Sequence, residues 1–311
     1  MGIDRLYEDD APDVAHDSPT AEGDVPTAEG EASATVEHDD CADSDAERTA
    51  FNLKYRADVE AVYQAAWDEA LPTFEAAREE HRRRFPQPER SRPTVEDDGS
   101  WHCDGGRLKL SSARNADVDR GGERIREIGK NSIIPGMRSI EAEDTTRHLV
   151  GFEHRFKEDD RLKEKVAERL RSKPGRTTAE ILDGIPDAIR FTFQYPHESY
   201  IVGVRRDIER LEAHGFIQVE RRNTWTSDQY KGINSRWREP ESDQQFEVQF
   251  HTRISYEAKE LTHKAYERIR SSAEDPERAE LKEFQRSVCA MVPLPPGVAE
   301  YEDFLRKERD G

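Results

Sequence analysis

The sequence predicts an α+β fold in which a mixed β-sheet of about five strands is flanked by helices. From about residue 150 onward, short apolar or alternating segments take turns with amphipathic helical segments, which is typical of such a fold. The clearest strand is Phe246–Thr252, where residues 246, 248 and 250 are apolar and residues 247, 249 and 251 are polar. A period of two indicates a strand with one face toward a core. The other face carries a carboxylate, an amide and an imidazole, and it is either a solvated edge or part of a site.

Negative charge is concentrated at the N-terminus. The chain has 311 residues, of which 37% are charged and 34% hydrophobic, and its formal net charge is −19. Residues 1–50 contain 16 acidic and two basic side chains, which account for −14 of that charge. We predict that residues 1–48 form a disordered acidic tail, because this composition buries too little apolar area to offset chain entropy. A solubilising role is favoured over a role in shielding a basic site, and the mildly acidic remainder does not exclude a nucleotide or RNA ligand.

The cysteines and the hydropathy bear on where the protein works. Cys41, Cys103 and Cys289 are scattered without C-x-x-C spacing, which favours a reducing compartment over a disulfide framework or a structural zinc site. No apolar run approaches the ~20 residues of a membrane helix, and the N-terminus lacks a signal-peptide pattern. We therefore expect a cytoplasmic protein without a membrane partner, or one delivered to another cell by a route that the sequence does not reveal.

The segment that follows the tail is predicted to be a helical extension. Residues 50–84 carry apolar side chains at near-helical spacing and end in Arg82–Arg84. These arginines suit a helix C-terminus, where cations complement the helix dipole. They could also contact phosphates, but basic runs are a weak signal and the capping interpretation is favoured.

A polar linker is predicted next, before the domain that carries the main pattern. Residues 93–120 read as this linker, with a short hairpin around Trp101 and Leu108–Leu110. A second helix is predicted at 122–129, and the Pro135–Gly136 pair predicts a turn. The predicted division is a tail at 1–48, an extension and linker at 49–129, a functional domain at 130–292 and a C-terminal tail at 293–311.

Five strands and several helices are predicted in the functional domain. The strands are expected at Leu149–Lys157, Ala188–Phe193, Phe216–Glu220, Tyr230–Trp237 and Phe246–Thr252. The helices are expected at about 159–172, from Thr178, and at 199–213, 254–271 and 275–291, with a short tail helix after Pro293–Pro296. Their apolar residues recur at helical spacing.

Basic side chains gather where the first strand meets the first helix. Arg155 and Lys157 end the strand, while Arg161 and Lys165 lie one turn apart on the polar face of the helix. Such a strand end and helix start is a good place to hold a polyphosphate. Lys163 and Arg169 are expected on the solvated face. Taken alone, the set would be equally typical of an ordinary charged helix.

Five short motifs follow one another in the functional domain. They are Arg155-Phe-Lys157 with Lys165, Asp187-Ala-Ile-Arg190, Tyr230-Lys-Gly-Ile-Asn234, Glu247-Val-Gln-Phe-His-Thr252 and Ala258-Lys-Glu-Leu-Thr-His263. In this order they make residues ~150–270 resemble the synthetase domain of the RelA/SpoT family, the alarmone synthetases. Each is weak alone, but each lies on the expected element. The residues of these motifs are most similar to those of the divergent branch of stand-alone and toxin-type synthetases.

The resemblance implies a nucleotide pyrophosphokinase. Such an enzyme transfers the β,γ-pyrophosphate of ATP to the 3'-hydroxyl of a guanosine or adenosine nucleotide, which yields (p)ppGpp-type alarmones and AMP. Its implied partners are ATP and an acceptor that is GDP, GTP, ATP or the tRNA 3' end, and an antitoxin or immunity protein in the toxin case. The implied cofactor is Mg²⁺, a hard cation that prefers carboxylate oxygens.

The resemblance also implies a role for each site residue. The ATP phosphates would be clamped by Arg155, Lys157, Arg161 and Lys165. Arg190 would join them or stack on adenine, Asp187 and Glu247 would hold Mg²⁺, and Glu247 or a water it orients would take the proton of the 3'-hydroxyl. Tyr230 would stack against the acceptor base. The acceptor or the transferring phosphates would be positioned by Asn234, Gln249 and His251.

Departures from the family pattern leave alternatives open. The spacing from Asp187 to Arg190 is short, so Asp183 is an alternative metal ligand, and Asp187 needs a bend at the strand start to join the site. Asn234 replaces a family His and His251 replaces a family Arg, which leaves the acceptor undecided.

Other hypotheses for the function are a toxin that pyrophosphorylates tRNA, using a basic surface such as Arg82–Arg84, and an inactive nucleotide-binding module. The retained carboxylates argue against the module. His263 and Tyr266 are predicted to be packing residues.

Overall fold

The computed structural model of the protein describes residues 41–86, 92–271 and 275–306. The first helix, α1, runs from Cys41 to Arg84. Residues 1–40 of the predicted tail lie outside the described residues, while residues 41–48 are helical and were wrongly assigned to the tail. The chain divides into two compact units, Met1–Val59 and Glu60–Gly311. All features below belong to the second unit.

Two β-sheets form in this unit. The small antiparallel sheet has the order β1-β2-β3 and consists of β1 (Thr94–Val95), β2 (Trp101–Cys103) and β3 (Leu108–Leu110). The large sheet consists of β4 (His148–Val150), β5 (Arg190–Tyr195), β6 (Ile217–Asn223), β7 (Ile233–Arg238), β8 (Gln245–Thr252) and β9 (Phe304–Leu305). Its order is β4-β5-β8-β7-β6-β9. Strands β5 and β8 are parallel and every other neighbouring pair is antiparallel, so the predicted α+β fold with a mixed sheet is confirmed.

Seven further helices surround the sheets. They are α2 (Ser112–Ile128), α3 (Ile134–Ala142), α4 (Asp159–Ser172), α5 (Thr178–Asp183), α6 (Tyr200–Ala213), α7 (Arg253–Ser271) and α8 (Asp275–Ala290). The limits predicted for α4 are confirmed, and those of α6, α7 and α8 agree to within one residue. Helix α5 begins with a capping box, in which Thr177 and Glu180 satisfy each other's backbone N–H groups.

The apolar face of the large sheet packs against α3 and α6. Phe193, Val248 and Phe250 are completely buried on this face. The Phe216 ring lies 5.0 Å from that of Phe246, and the Tyr200 hydroxyl of α6 donates to the Phe250 carbonyl over 2.7 Å. Burying each of these side chains contributes about 1.5–3 kcal/mol, so this layer holds β8 firmly in the interior of the sheet.

The polar face of β8 is buried as well. Gln249 and His251 are 0% exposed and Glu247 is nearly as inaccessible. Strand β8 lies between β5 and β7 rather than at an edge, so the interpretation of this face as a solvated edge is wrong. Burying an amide, an imidazole and a carboxylate is costly unless each is hydrogen-bonded, and these contacts build the site described below.

The segment predicted as a polar linker is folded. Residues 94–110 form the three-stranded sheet, in which Trp101 is completely buried. Helix α2 begins at Ser112, ten residues earlier than predicted, and the Ser111 hydroxyl accepts from the Arg114 N–H. The polar composition concealed this helix because only a narrow stripe of it is apolar. The domain boundaries at 130 and 292 stay predictions.

Three other local predictions are also corrected. Pro135 does not form a turn, since it lies in the first turn of α3, where a proline is tolerated. The strand predicted at Leu149–Lys157 ends at Val150, and a 3₁₀ turn at Phe152–His154 follows. The predicted tail helix is instead strand β9, which pairs with β6. No helix within the described ranges is long and apolar enough to cross a bilayer.

Lys163 and Arg169 of α4 do not lie on a solvated face. The Lys163 ammonium lies 2.8 Å from an Asp119 carboxylate oxygen on α2. The Arg169 guanidinium donates to the carbonyl of Gly184, which follows α5. Both side chains therefore tie α4 to its neighbouring segments.

Candidate active site

Two rows of facing residues lie on the polar face of the sheet. In the first row, Glu247 of β8 is paired in register with Arg190 of β5 on one side and Arg236 of β7 on the other. In the second row, Gln249 lies between Thr192 and Asn234. Directly paired residues of neighbouring strands project from the same face. The register therefore brings Arg190, Glu247, Gln249 and Asn234, all predicted site residues, to one surface.

Asp187 lies at the end of this face, immediately before β5. Residues Pro186–Ala188 form a 3₁₀ turn, which supplies the bend that the strand pattern required. The Lys165 ammonium of α4 donates to one carboxylate oxygen of Asp187 over 2.6 Å. The Lys157 ammonium lies 2.8 Å from the other carboxylate oxygen. Two predicted phosphate-binding lysines and one predicted metal ligand thus form a single ion cluster.

The protonation of Asp187 follows from this cluster. Burial raises the pKa of its carboxyl group, but the positive charges of Lys165 and Lys157 outweigh burial and hold the pKa well below the ordinary range. The carboxylate is therefore ionised at any physiological pH. Asp183, the alternative metal ligand, is exposed at the end of α5 and forms no hydrogen bond or ion pair within the described part of the chain.

Glu247 is held by the amide of the residue two positions on. The Gln249 side-chain N–H donates to a Glu247 carboxylate oxygen over 3.0 Å, and the Gln249 carbonyl oxygen accepts from the Thr192 hydroxyl over 3.4 Å. Both ends of the Gln249 amide are thus occupied inside the sheet. Gln249 therefore positions Glu247 and, being completely buried, presents no surface of its own to a ligand.

His251 supports Tyr230 in a similar way. Its Nε2 lies 2.8 Å from the Tyr230 hydroxyl, which donates to the Asn234 carbonyl oxygen over 3.0 Å. Its Nδ1 lies 2.9 Å from the Ser255 hydroxyl. The Ser255 hydroxyl also accepts from the Thr252 N–H over 2.9 Å and donates to the Thr252 carbonyl over 3.2 Å. Both ring nitrogens of His251 thus lie within hydrogen-bond distance of a hydroxyl. Tyr230 belongs to the loop before β7, not to the strand as predicted.

The imidazole of His251 stays neutral. Burial lowers its pKa well below the ordinary value, and the positive charges of Lys259 and Arg190 lower it further. A neutral ring with both nitrogens occupied does not serve as a proton shuttle in this arrangement. It orients the half-buried Tyr230 at the inner end of the face.

The two arginines predicted to bind phosphate make different contacts. Arg155 donates to the Phe152 carbonyl over 2.8 Å, and its guanidinium lies 4.4 Å from the Phe152 ring centroid. The Arg155 carbonyl accepts from the Arg190 N–H over 2.8 Å, which joins the two backbones. Arg161 instead pairs with Glu164 at 3.0 Å and with Glu267 of α7 at 3.6 Å. Arg161 therefore marks the outer rim of the site.

Several site residues were not predicted as such from the sequence. Arg236 faces Glu247 across the sheet and forms an ion pair with Glu220 of β6. Ser255 and Lys259 lie on α7, and their spacing of four places them on one side of the helix. The spacing was available in the sequence, but nothing in it says which side of α7 turns toward the sheet.

A cavity of 1190 Å³ lies beside this site. Its walls come from the end of α1, the β2–β3 hairpin, α4, α7 and α8, and its lining includes Arg82, Arg84 and Arg107. Arg161 is the predicted site residue that lines it. Arg84 is paired there with Glu280 at 2.9 Å. The charges of the cavity are mixed, so they do not define one class of ligand.

The carboxylates of the site suit a hard divalent cation. Asp187 precedes β5 and Glu247 lies on the adjacent strand, so their oxygens come from neighbouring elements. Among the described residues no group of three or more His, Cys, Asp or Glu side chains is arranged to hold a metal ion. Mg²⁺ is commonly bound by one or two carboxylates together with substrate phosphates, and this donor set fits that mode.

Comparisons with known proteins give matches among solved structures. No protein-family model and no curated protein matches the chain. Small alarmone synthetase 1 from Bacillus subtilis is 13% identical, with 56% of this chain and 92% of that chain covered and a TM-score of 0.40. Small alarmone synthetase 2 from the same organism is 14% identical, with 56% of this chain and 94% of that chain covered and a TM-score of 0.40. A GTP pyrophosphokinase family protein from Streptococcus pneumoniae is 14% identical, with 58% of this chain and 90% of that chain covered and a TM-score of 0.38. The chain is thus similar to small alarmone synthetases over slightly more than half of its length.

Proposed function

We propose that this protein transfers the β,γ-pyrophosphate of ATP to the 3'-hydroxyl of a guanosine or adenosine nucleotide and releases AMP. The observation that carries the proposal is the row Arg190–Glu247–Arg236, in which a buried carboxylate lies between two arginines, beside an Asp187 that contacts two lysines. Phosphoryl-type transfer needs charge neutralisation and alignment more than covalent help from the protein. A carboxylate kept ionised among several cations supplies both.

The donor phosphates are proposed to bind at the Asp187 end. Lys157, Lys165 and the more exposed Arg161 present their charges there from the start and one edge of α4. In the free protein the two lysines neutralise Asp187. Phosphates that enter would take over the lysine ammonium groups, and Asp187 would be released to the cation that accompanies ATP. Donor and cation binding would therefore be coupled.

The reaction itself is proposed to occur at the first row. The acceptor 3'-oxygen forms a bond to the β-phosphorus, and the bond from that phosphorus to the oxygen shared with the α-phosphate breaks, so AMP leaves. Glu247, or a water that it orients, takes the proton of the 3'-hydroxyl. Gln249 holds one oxygen of Glu247 in place, and the flanking arginines stabilise the charge of the transferring group.

The acceptor is proposed to bind near Tyr230. The tyrosine ring is fixed by its hydroxyl contacts to Asn234 and His251, and a fixed aromatic ring is suited to stacking against a base. His251 and Gln249 would act as positioning residues beneath it rather than touch the acceptor. Asp187 and Glu247 would hold Mg²⁺, which supplies neutralisation of the phosphate charge when bound.

The experiment that tests this function is an AMP-release assay with separate acceptors. Purified protein, ATP and Mg²⁺ are incubated with GDP, GTP, ATP or deacylated tRNA, alongside Glu247→Gln, Asp187→Asn and Asp183→Asn. We expect acceptor-dependent AMP from the wild type and from Asp183→Asn, whose aspartate is exposed. We expect a loss of at least about 100-fold in the other two variants.

The controls separate the remaining hypotheses. Circular dichroism of each variant checks that it is folded, since Glu247 and Asp187 are buried among partners. Product from tRNA alone would assign the toxin-type reaction. No AMP with any acceptor, from the full chain and from one lacking residues 1–48, would refute the enzyme and leave a nucleotide-binding module. Activity lost in Asp183→Asn but kept in Asp187→Asn would reverse the ligand assignment.

A further inference from the structure

A stripe of polar residues on α7 runs back across the polar face of the sheet. It consists of Ser255, Lys259, His263 and Glu267, which are spaced four residues apart. The Ser255 hydroxyl contacts His251 at 2.9 Å, and Glu267 contacts Arg161 at 3.6 Å. The two ends of the stripe therefore contact the inner end of the site at His251 and its rim at Arg161, while His263 between them is exposed.

Lys259 occupies the middle of this stripe, and its side chain is only 9% exposed. Its ammonium lies 3.4 Å from Glu260, a side chain that is itself 56% exposed, and 5.0 Å from the ring centroid of Tyr256. Surface lysines usually extend their ammonium groups into water. The Lys259 side chain is instead largely inaccessible, and the ion pair that it forms within the described residues is a solvent-screened one with Glu260.

The charges that act on Lys259 come from both walls of the site. The positive charge of Arg190 on β5 lowers the pKa of Lys259, while the negative charges of Glu260 on α7 and Glu247 on β8 raise it. Burial lowers the pKa of Lys259 to about 8, and the positive charge of Arg190 contributes to that shift. The largely inaccessible Lys259 and the half-buried Arg190 therefore act on each other near one buried carboxylate, Glu247, and an entering anion would offset their repulsion.

We propose that Lys259 is a phosphate-binding cation of the transfer centre, which contacts the transferring pyrophosphoryl group from the α7 side. This role rests on the proposed function, and it identifies a further substrate contact within the same site. Lys157 and Lys165 stand on the α4 side of the row and Lys259 stands on the α7 side. A group in transit from donor to acceptor would lie between these two sets of cations, above Glu247.

The position of Lys259 separates this role from that of the donor lysines. The positions of the donor lysines Lys157 and Lys165 are set by their contacts with Asp187. We therefore expect them to bind ATP equally well when the Lys259 charge is absent. Removing the Lys259 charge is therefore expected to affect turnover more than donor binding. Because a buried charge with weak partners destabilises a fold, its replacement by an apolar side chain of similar length should leave thermal stability unchanged or increased.

The test uses Lys259→Met, Lys259→Arg and the control Lys264→Met in the full-length protein. Lys264 lies on the same helix and is exposed. For Lys259→Met we expect kcat for AMP release to fall about 100-fold, with ATP affinity within about threefold and no loss of thermal stability. Lys259→Arg should recover part of kcat, and Lys264→Met should behave as the wild type. Calorimetric titration with inorganic pyrophosphate should show affinity lowered about tenfold in Lys259→Met.

Each outcome decides the matter. Unchanged kcat in Lys259→Met would refute the role of Lys259 while the proposed function stands. A loss accompanied by a lower melting temperature, and not recovered by arginine, would assign Lys259 a structural role instead. If the wild type releases no AMP, the proposed function fails. The affinity for inorganic pyrophosphate then tests by itself whether Lys259 contacts an anion. Weaker binding in Lys259→Met would support the anion contact, and unchanged binding would refute it.

Discussion

Residue 232 has no room for a side chain. A Cβ atom on Gly232 would lie 2.7 Å from Cε1 of His251 and 3.2 Å from each ring nitrogen. The ring cannot move aside without breaking its contacts to Tyr230 and Ser255. The family-like Tyr-Lys-Gly-Ile-Asn motif is therefore explained physically, since its glycine lets the loop pass directly over the imidazole that orients its tyrosine.

Gly232→Ala is expected to disturb the acceptor end of the site. We predict a loss of about 1–3 kcal/mol in the free energy of unfolding, the usual cost of overpacking, and a higher KM for the acceptor with the KM for ATP unchanged. Urea unfolding and acceptor titrations measure the two effects. Gly175→Ala is the matched control, because its Cβ would have no atom within 4 Å. Equal behaviour of the two variants would contradict the account.

Lys165 is expected to limit cation binding in the nucleotide-free protein. Its ammonium occupies one oxygen of Asp187, so Lys165→Met should free that oxygen while Lys157 keeps the carboxylate ionised. We predict that Mn²⁺, added without nucleotide and followed by electron paramagnetic resonance, binds about tenfold more tightly to Lys165→Met than to the wild type. Lys163→Met, whose lysine pairs with Asp119 instead, should not change the affinity. Equal or weaker Mn²⁺ binding in Lys165→Met would count against the coupling of donor and cation.

At the scale of elements, a histidine anchors α1 beside α6. His197 lies in the 3₁₀ turn before α6 and is almost completely buried. Its ring centroid is 4.7 Å from that of Tyr63 on α1, and its backbone N–H donates to Glu60. Burial lowers the pKa of His197 to about 4, so α1 packs against the neutral form of the ring.

This contact predicts a pH dependence of stability. An unfolded chain protonates the histidine near its ordinary pKa of 6.5, whereas the folded protein does so near 4. The stabilisation is therefore fully present above pH 6.5 and is lost as the pH falls toward 4, by at most about 3 kcal/mol. Urea unfolding between pH 7 and pH 4 of the wild type and of His197→Gln measures it. Burial raises the pKa of Glu60, so this carboxyl group increases stability as the pH falls, opposite to His197. Glu60 is present in both proteins, so the difference between their pH profiles isolates His197. Parallel pH profiles would contradict the prediction.

For the whole molecule, the distribution of charge separates the N-terminus from the folded unit. Residues 1–40 carry 13 acidic and one basic side chain, so deleting them changes the formal net charge from −19 to −7. We predict that the deletion leaves the thermal midpoint within about 2 °C and AMP release within about twofold, as expected of a solubilising extension. Calorimetry and the AMP assay check this. A strong gain in activity, reversed by adding the peptide of residues 1–40 back, would instead assign those residues to shielding the basic site.

Periodic patterns made much of the large sheet predictable. Strand β8 and helix α4 were predicted within one residue of their limits, because alternation and helical spacing are recorded in the order of the residues. In the small sheet the hairpin of β2 and β3 was predicted and is confirmed. Strand β1 and the start of α2 were not predicted, since their apolar residues are few and their polarity resembles that of a linker. Strand β9 was missed because two residues that pair with a distant edge carry no periodic signal.

Some residues of the candidate site could be predicted from the sequence and others could not. The order of its motifs singled out Asp187, Glu247 and Tyr230, together with the lysines that meet Asp187. Lys259 was missed, and Arg236 was expected on the face of Tyr230 and Asn234 but given no role, because each looks like an ordinary charged residue of a helix or strand. The buried pair of Arg147 and Asp207, joined by two contacts of 2.6 Å, shows the same limit, as the partners are 60 residues apart.

By itself, the sequence determined the class of fold, the alternation of β8 and the set of residue types able to bind phosphates and a hard cation. These depend on local order, because side-chain periodicity follows directly from backbone geometry. Only the tertiary structure decided that the polar face of β8 is interior, that Asp187 rather than Asp183 meets the lysines, and that the Lys259 side chain of α7 is largely inaccessible. Those outcomes depend on register and on the rotation of a helix about its axis, which arise from packing between segments far apart in the chain.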